Sequence, residues 1–225
     1  MTWANAKIKR IYVGDKQVRP YRYNPWANTI AYYPLTASST VNDISWNNLN
    51  LTNTNVTFGS YKWVDCGYFS WSAKLTATYV NSWIACTILC WAYYIYSWST
   101  AKNQALWRWW SNFWPFVNNM DTKKLVCSPW SIGSNLWTSD SQWKLIAVTY
   151  NWSNTLKMYE NWTLVWTNSS ATVPTWTAFT VWWDANETYS WRWIWWISNV
   201  IVENVVWEQA KIQEYCNKSK SQYWL

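Results

Sequence analysis

The sequence predicts an all-β fold, an antiparallel two-sheet sandwich with one short helix near the C-terminal end. Three observations carry this. Short runs rich in β-branched and aromatic residues alternate in apolar and polar character, the period of a half-buried strand. Turn signals recur every 8–12 residues or so, the rhythm of a sandwich or barrel. Helical spacing of apolar residues is found at one place only, between Trp207 and Asn217.

The strands follow in order. Thr29–Tyr33 and Leu75–Thr78 are the first two candidates, and 85–95 is a longer run containing Ile88, Leu89 and Trp91. Lys144–Tyr150, Thr155–Tyr159 and Thr163–Val165 are joined by short Asn-bearing links and read as a meander of hairpins. Ala178–Val181 and Ile197–Val202 complete the set. For the helix, Glu208 falls in the first turn, where an acid suits the dipole, and Ala210, Ile212 and Tyr215 form the apolar side. Three regions result: a basic arm over 1–24, a sandwich over 25–206, and a short helix and tail over 207–225.

Charge separates the arm from the body. Residues 1–22 hold Lys7, Lys9, Arg10, Lys16, Arg19 and Arg22 against Asp15, a net of +5 out of the +7 of the whole chain. Residues 23–207 carry nine basic and eight acidic side chains. A nucleic-acid reader shows a basic stripe on its folded face, so nucleic acid is not an expected partner. The arm reads as a segment that docks on a neighbour or stays solvated. No apolar run reaches the roughly 18 residues of a membrane span, and Met1–Ile8 lacks the apolar centre of a signal peptide.

Catalytic chemistry is poorly supplied. The chain of 225 residues contains no His, which removes His-based triads and His metal sites. Its eleven acids are scattered, with no strand that alternates carboxylates on one face as a glycosidase needs. The chain is therefore expected not to be an enzyme. Cys66, Cys86, Cys90, Cys127 and Cys216 form no CxxC pair. Cys86 and Cys90, four apart on a strand, lie roughly 13 Å from each other, beyond disulfide reach. Free buried thiols are expected.

The composition holds one anomaly. There are 27 Trp and 4 Gly, whereas about 7% Gly is ordinary. Many Trp stand in polar turn contexts: Ser45-Trp46-Asn47-Asn48, Asn151-Trp152-Ser153-Asn154 and Glu160-Asn161-Trp162-Thr163. A two-residue hairpin turn wants Asn-Gly because both central residues take positive φ. Reading Gly for Trp restores that chemistry at these places, and gives Gly-Gly at Trp182-Trp183. UGA, a Trp codon in some genetic codes, is a Gly codon in others, so translation under the wrong code produces this signature. The alternative is a genuinely Trp-rich protein. Trp91, Trp143 and Trp207 sit in apolar runs and are expected to be true core aromatics.

In order, Trp143…Tyr150-Asn151-Trp152, Lys157-Met158-Tyr159-Glu160-Asn161-Trp162 and Trp196-Ile197-Ser198-Asn199-Val200 resemble the concanavalin A-like, laminin-G-like jelly-roll superfamily. Upstream, Ala31-Tyr32-Tyr33-Pro34-Leu35 and Asn42-Asp43-Ile44-Ser45-Trp46-Asn47 agree more loosely, with Trp where that superfamily has Gly. The resemblance covers about residues 29–206. It implies a jelly-roll sandwich and a lectin-like or adhesion module binding a glycan or host surface component. A structural virion domain and a degenerate glycosidase are the alternatives. It also implies a rim site: Asp184, Asn186 and Glu187 are the candidate binding loop, Asp43 is the next, and Asp184 and Glu187 are candidate Ca²⁺ ligands, against the plainer reading of a solvated loop. The loops 184–189 and 107–116 would frame a sugar, while Tyr93, Tyr94 and Tyr96 alternate badly for one platform. No other cofactor is implied. Ile8–Pro20 resembles segments that open phage tail and virion-surface proteins, so the expected setting is a virion or a bacterial cell surface, with neighbours engaged through the arm.

Overall fold

The structure, a computed structural model, describes residues 11–13, 16–18, 23–70, 73–81, 85–95, 104–109, 114–118, 124–128, 142–171, 176–184 and 194–223. The strands are β1 (Ile11–Val13), β2 (Lys16–Val18), β3 (Thr29–Tyr33), β4 (Thr52–Thr54), β5 (Thr57–Tyr61), β6 (Val64–Phe69), β7 (Lys74–Asn81) and β8 (Cys86–Ile95). They continue as β9 (Gln104–Trp109), β10 (Trp114–Asn118), β11 (Lys124–Ser128), β12 (Trp143–Tyr150), β13 (Leu156–Glu160), β14 (Thr163–Asn168), β15 (Trp176–Asp184) and β16 (Ile194–Glu203). Helix α1 (Gln209–Ser219) and a 3₁₀ turn (Lys220–Tyr223) follow.

The strands form two antiparallel sheets and a separate β1–β2 hairpin. One sheet runs β11-β10-β9-β15-β7-β4. The other runs β14-β13-β12-β8-β16-β6-β5, with β3 added on β16 beyond the end of β6. The predicted all-β sandwich is what the chain builds. Each predicted strand is present, most of them longer than their apolar runs.

Strand geometry explains the layering. Alternate residues face opposite sides, and on β12 both sides are buried. Ile146, Val148 and Tyr150 join β8, β16, Leu75, Ala77, Phe179 and Val181 in the core between the sheets. Trp143, Leu145 and Ala147 join Leu89, Trp91, Tyr93, Ile212, Tyr215, Cys216 and Tyr223 in a second core beneath α1. The larger sheet thus has no solvated face at its centre. Fully burying one large apolar side chain contributes on the order of 2–3 kcal/mol, so the second core, rich in aromatic side chains, contributes substantially to stability.

Helix α1 packs through Ile212, Tyr215, Cys216 and Ser219, spaced i, i+3, i+4 and i+7. It starts two residues later than its sequence signal. Glu208 is the extended N-cap, whose carbonyl accepts from the Lys211 and Ile212 amides at 2.9 and 3.2 Å. Ala210, expected on the apolar side, is exposed. Trp91 stacks on Tyr223 with centroids 4.0 Å apart, and its Nε1 donates to Ser219 Oγ at 3.2 Å.

Cys66, Cys86, Cys90 and Cys216 are free and buried. Burial pushes the thiols of Cys66, Cys86 and Cys216 up to about 12 and raises Cys90 as well. They are protonated at neutral pH and are poor nucleophiles.

Candidate functional site

The expected rim site is reached only at its edge. Asp184 is the last residue of β15, and its side chain, with Asn186 and Glu187, lies outside the described residues. So do the loop residues 110–113 and 185–189. No cluster of three potential metal ligands occurs among the described residues.

Asp43 is fully placed, and it is turned inward. Its Oδ1 accepts from the amides of Tyr32 at 2.9 Å and Ser45 at 2.8 Å. Its Oδ2 accepts from Ser45 Oγ at 2.7 Å and the Leu49 amide at 2.9 Å. Four donors satisfy both oxygens, so Asp43 organises the loop that crosses β3. The Asn47 amide group extends the same tie, donating to the carbonyls of Thr29 and Ile30 at 3.1 and 2.9 Å.

The Trp-bearing turns divide into two kinds. In the β5–β6 hairpin, Lys62 and Trp63 have φ of 46° and 66°; in the β13–β14 hairpin, Asn161 and Trp162 have 48° and 77°. Positive φ at both central residues is the type I′ requirement, and an indole there carries backbone strain. Elsewhere the expected glycine position shifts. Asn48 and Asn154, not Trp46 and Trp152, take the left-handed conformation in their turns, at 52° and 57°. Trp182 and Trp183 lie inside β15 rather than in a turn. Trp46, Trp63 and Trp152 are 83%, 87% and 67% exposed, at odds with an indole's usual burial.

Trp91, Trp143 and Trp207 are buried, as expected. Tyr93 is also buried, against Trp143 and Trp196, so it offers no sugar platform. The indole Nε1 atoms of Trp143 and Trp207 have no partner among the described residues.

Sequence reasoning passed over a second buried carboxylate cluster, around Glu203. Glu203, at the end of β16, is fully buried. Its Oε1 accepts from Thr29 Oγ1 at 2.7 Å and from the Tyr23 hydroxyl. Its Oε2 accepts from Trp26 Nε1 at 2.6 Å. Three donors on one buried carboxylate fit the rule that a buried charge must be fully hydrogen-bonded. Burial, then the Glu203 contact, raises the Tyr23 hydroxyl and keeps it a donor. Above the cluster, Lys211 Nζ lies 3.8 Å from the Trp26 ring centroid and 4.4 Å from that of Trp207. Burial lowers the Lys211 ammonium from its ordinary value, with Glu203 and Glu214 opposing. The signal was weak: Tyr23, Trp26 and Thr29 sit 174–180 residues from Glu203, a pairing that no local pattern encodes.

A second buried pair joins Lys144 Nζ and Glu160 Oε1 at 2.8 Å across β12 and β13. Buried pairs of this kind are weak evidence for stability and leave function open.

Two antiparallel sheets closed over a common core define the class, an all-β sandwich. No protein-family profile matches the chain, and no curated protein matches it. Solved structures do match. One is the botulinum neurotoxin type C structure whose cell entry is described as dependent upon interaction with two ganglioside molecules. It aligns with a TM-score of 0.67 at 14% identity, over 85% of this chain and 51% of that one. The binding domain of Paraclostridial Mosquitocidal Protein 1 aligns at 0.65 and 12%, over 84% and 52%. The binding domain of botulinum neurotoxin DC in complex with SialylT aligns at 0.64 and 14%, over 86% and 52%. The chain spans about half the length of these structures. At such identities the likeness shows the fold.

Proposed function

We propose that the chain is a non-catalytic module for carbohydrate or cell-surface recognition. The observation that carries this is the fold itself, shared over most of the chain with binding domains, one of them in complex with a glycan. The described chemistry is consistent with it, since the buried thiols are held protonated and the carboxylates of Asp43 and Glu203 are committed to internal hydrogen bonds. A glycan-array screen of the full chain tests the reading: selective binding without hydrolysis supports it, and turnover of any bound glycan overturns it. The concanavalin A-like, laminin-G-like assignment and a Ca²⁺-dependent rim at Asp184, Asn186 and Glu187 are part of the same proposal. If the rim binds Ca²⁺, chelation lowers glycan affinity.

The β1–β2 hairpin stands apart from both sheets, within the segment of net charge +5. That favours a second role, docking on virion or surface-protein neighbours. A phage tail, virion or bacterial surface is the setting we propose with it. Immunogold labelling of the source particles or cells tests the location.

We also propose that Trp63 and Trp162 stand where the natural protein has Gly, by UGA recoding. Their φ values of 66° and 77° support this, as does the pairing of 27 Trp with 4 Gly. Trp46 and Trp152 are proposed on exposure alone. Trp26 and Trp91, whose indole N–H groups donate to Glu203 and Ser219, are read as genuine. Peptide mass spectrometry of natural material decides each position.

A further inference from the structure

We propose that the ring of Trp26 is the platform of a carbohydrate subsite on the β3 side of the sandwich. This deepens the recognition reading above and rests on it. The ligand class is a pyranose presenting a contiguous C–H face.

The first observation is that the ring is held. Its Nε1 donates to the fully buried Glu203 at 2.6 Å. Its backbone closes a turn in which the Trp26 amide donates to Thr29 Oγ1 at 3.0 Å and the Thr29 amide donates to the Trp26 carbonyl at 2.9 Å. A side chain fixed before the ligand arrives loses little freedom on binding, which is how preorganised sites gain affinity.

The second observation is that Trp26, though held, is 40% exposed as a residue. The Lys211 ammonium rests over its ring at 3.8 Å, and no aromatic side chain among the described residues stacks on it. An indole face is the strongest of the aromatic surfaces for electropositive partners, and the C–H face of a sugar is such a partner. Lys211 takes one face of the indole, so the sugar is assigned to the face that the ammonium leaves.

The third observation is the surround. The loop held by Asp43 carries exposed Ile44 and Trp46 along β3, tied there by Asn47 to Thr29 and Ile30. Of the exposed large apolar side chains among the described residues, Trp26 and Ile44 therefore flank this one strand whatever stands at position 46. On the chain, Trp26 is bordered by Asn24 and Asn28. A single fixed ring among amides and an ammonium suits a sugar, with its one apolar face and many hydroxyls. A peptide helix would need a run of apolar pockets. The platform requires Trp26 alone; Trp46 is not needed for it.

The test takes a glycan that the full-length chain selects on an array and titrates it by saturation-transfer NMR against wild type, Trp26→Ala and Trp152→Ala. Trp26→Ala is expected to weaken binding at least about tenfold, equivalent to ~1.4 kcal/mol, with the saturated ligand protons on one C–H face. Trp152→Ala, on the β12–β13 turn, is expected to leave affinity within about twofold, as a change remote from the contact should. If Trp26→Ala does not fold, Ala27→Arg, at the exposed neighbour, must produce the same loss by crowding the ring. Unchanged affinity in the folded Trp26→Ala protein overturns the subsite and leaves the recognition reading standing. Absence of binding to every arrayed glycan overturns both. Gly at position 26 in the natural protein overturns the subsite.

Discussion

The face beneath α1 and the tips of the β5–β6 and β13–β14 hairpins use the same side chain in opposite ways. Under the helix, Trp91 is fully buried, stacked on Tyr223 and hydrogen-bonded to Ser219. At the β5–β6 tip, Trp63 is exposed and held at a φ of 66°. Trp162, half-buried at the other tip, has the larger φ of 77°. An indole under the helix gains burial and a partner, while Trp63 at its tip gains little and strains the backbone, and Trp162 sets partial packing on that same core against its strain. Abundance of Trp is therefore two facts, one about packing and one about turns.

The sharpest way to break this comparison is to shorten a covered indole. Trp91→Ala is expected to cost about 3–5 kcal/mol, read as a lowered midpoint in urea unfolding. A loss under about 1 kcal/mol would mean that the face beneath α1 is not a packed core. Next in size is Glu203→Ala, which strands the donors of Tyr23, Trp26 and Thr29. A loss of about 1–3 kcal/mol is expected, with the near-ultraviolet circular dichroism of the aromatic cluster altered.

The hairpin tips should respond with the opposite sign. Trp63→Gly is expected to raise stability by about 1 kcal/mol, since a left-handed non-Gly residue costs about 1–2 kcal/mol, and Trp162→Gly by less, because it also gives up packing on the core beneath α1. Trp152→Gly, at a position without positive φ, should stay within about 0.5 kcal/mol. Equal responses at all three sites would erase the distinction between strained and merely exposed indoles.

The smallest effect near neutral pH is alkaline. The thiols of Cys66, Cys86 and Cys216 are raised from 9.0 to about 12 in the folded chain. The folded state thus keeps protons that the unfolded state releases, and stability falls as pH rises from about 9 toward 12. A urea midpoint that is flat to about pH 8.5 and declines above pH 9 is expected, with thiol reagents at pH 8 labelling these residues only after unfolding.

The strands that the sequence reveals are those with alternating apolar residues and Asn-marked turns, such as β12, β13 and β14. Strands β5 and β6 escaped because their connection, Lys62-Trp63, carries no turn residue even though the backbone there is a two-residue hairpin. Within β6, Gly67 marks a close approach: a Cβ there would come within 2.9 Å of the Phe69 ring. β9, β10 and β11 hide in a Trp-rich stretch interrupted by Pro115, without clean alternation. The double burial of β12 was visible only as a long apolar run, and which covering lay on which side depends on α1, distant in sequence. For the candidate site, the resemblance made Asp43 the candidate after the 184–187 loop, and residue type alone does not say which way its oxygens turn. Its four donors come mostly from backbone amides, which residue type does not report. Glu203 sat unnoticed at the end of a strand because its partners come from the other end of the chain.

The centre of the larger sheet is covered on one side by residues 207–223, which the ribosome makes after every described strand. During synthesis, Leu89, Trp91, Tyr93, Trp143 and Leu145 have no cover on that side. An incomplete chain therefore presents an aromatic face to its neighbours, the kind of surface that aggregates before folding is finished. The Tyr23–Glu203 bond, spanning 180 residues, can close only at that late stage. Stalled or truncated chains should depend on chaperones far more than the complete protein does.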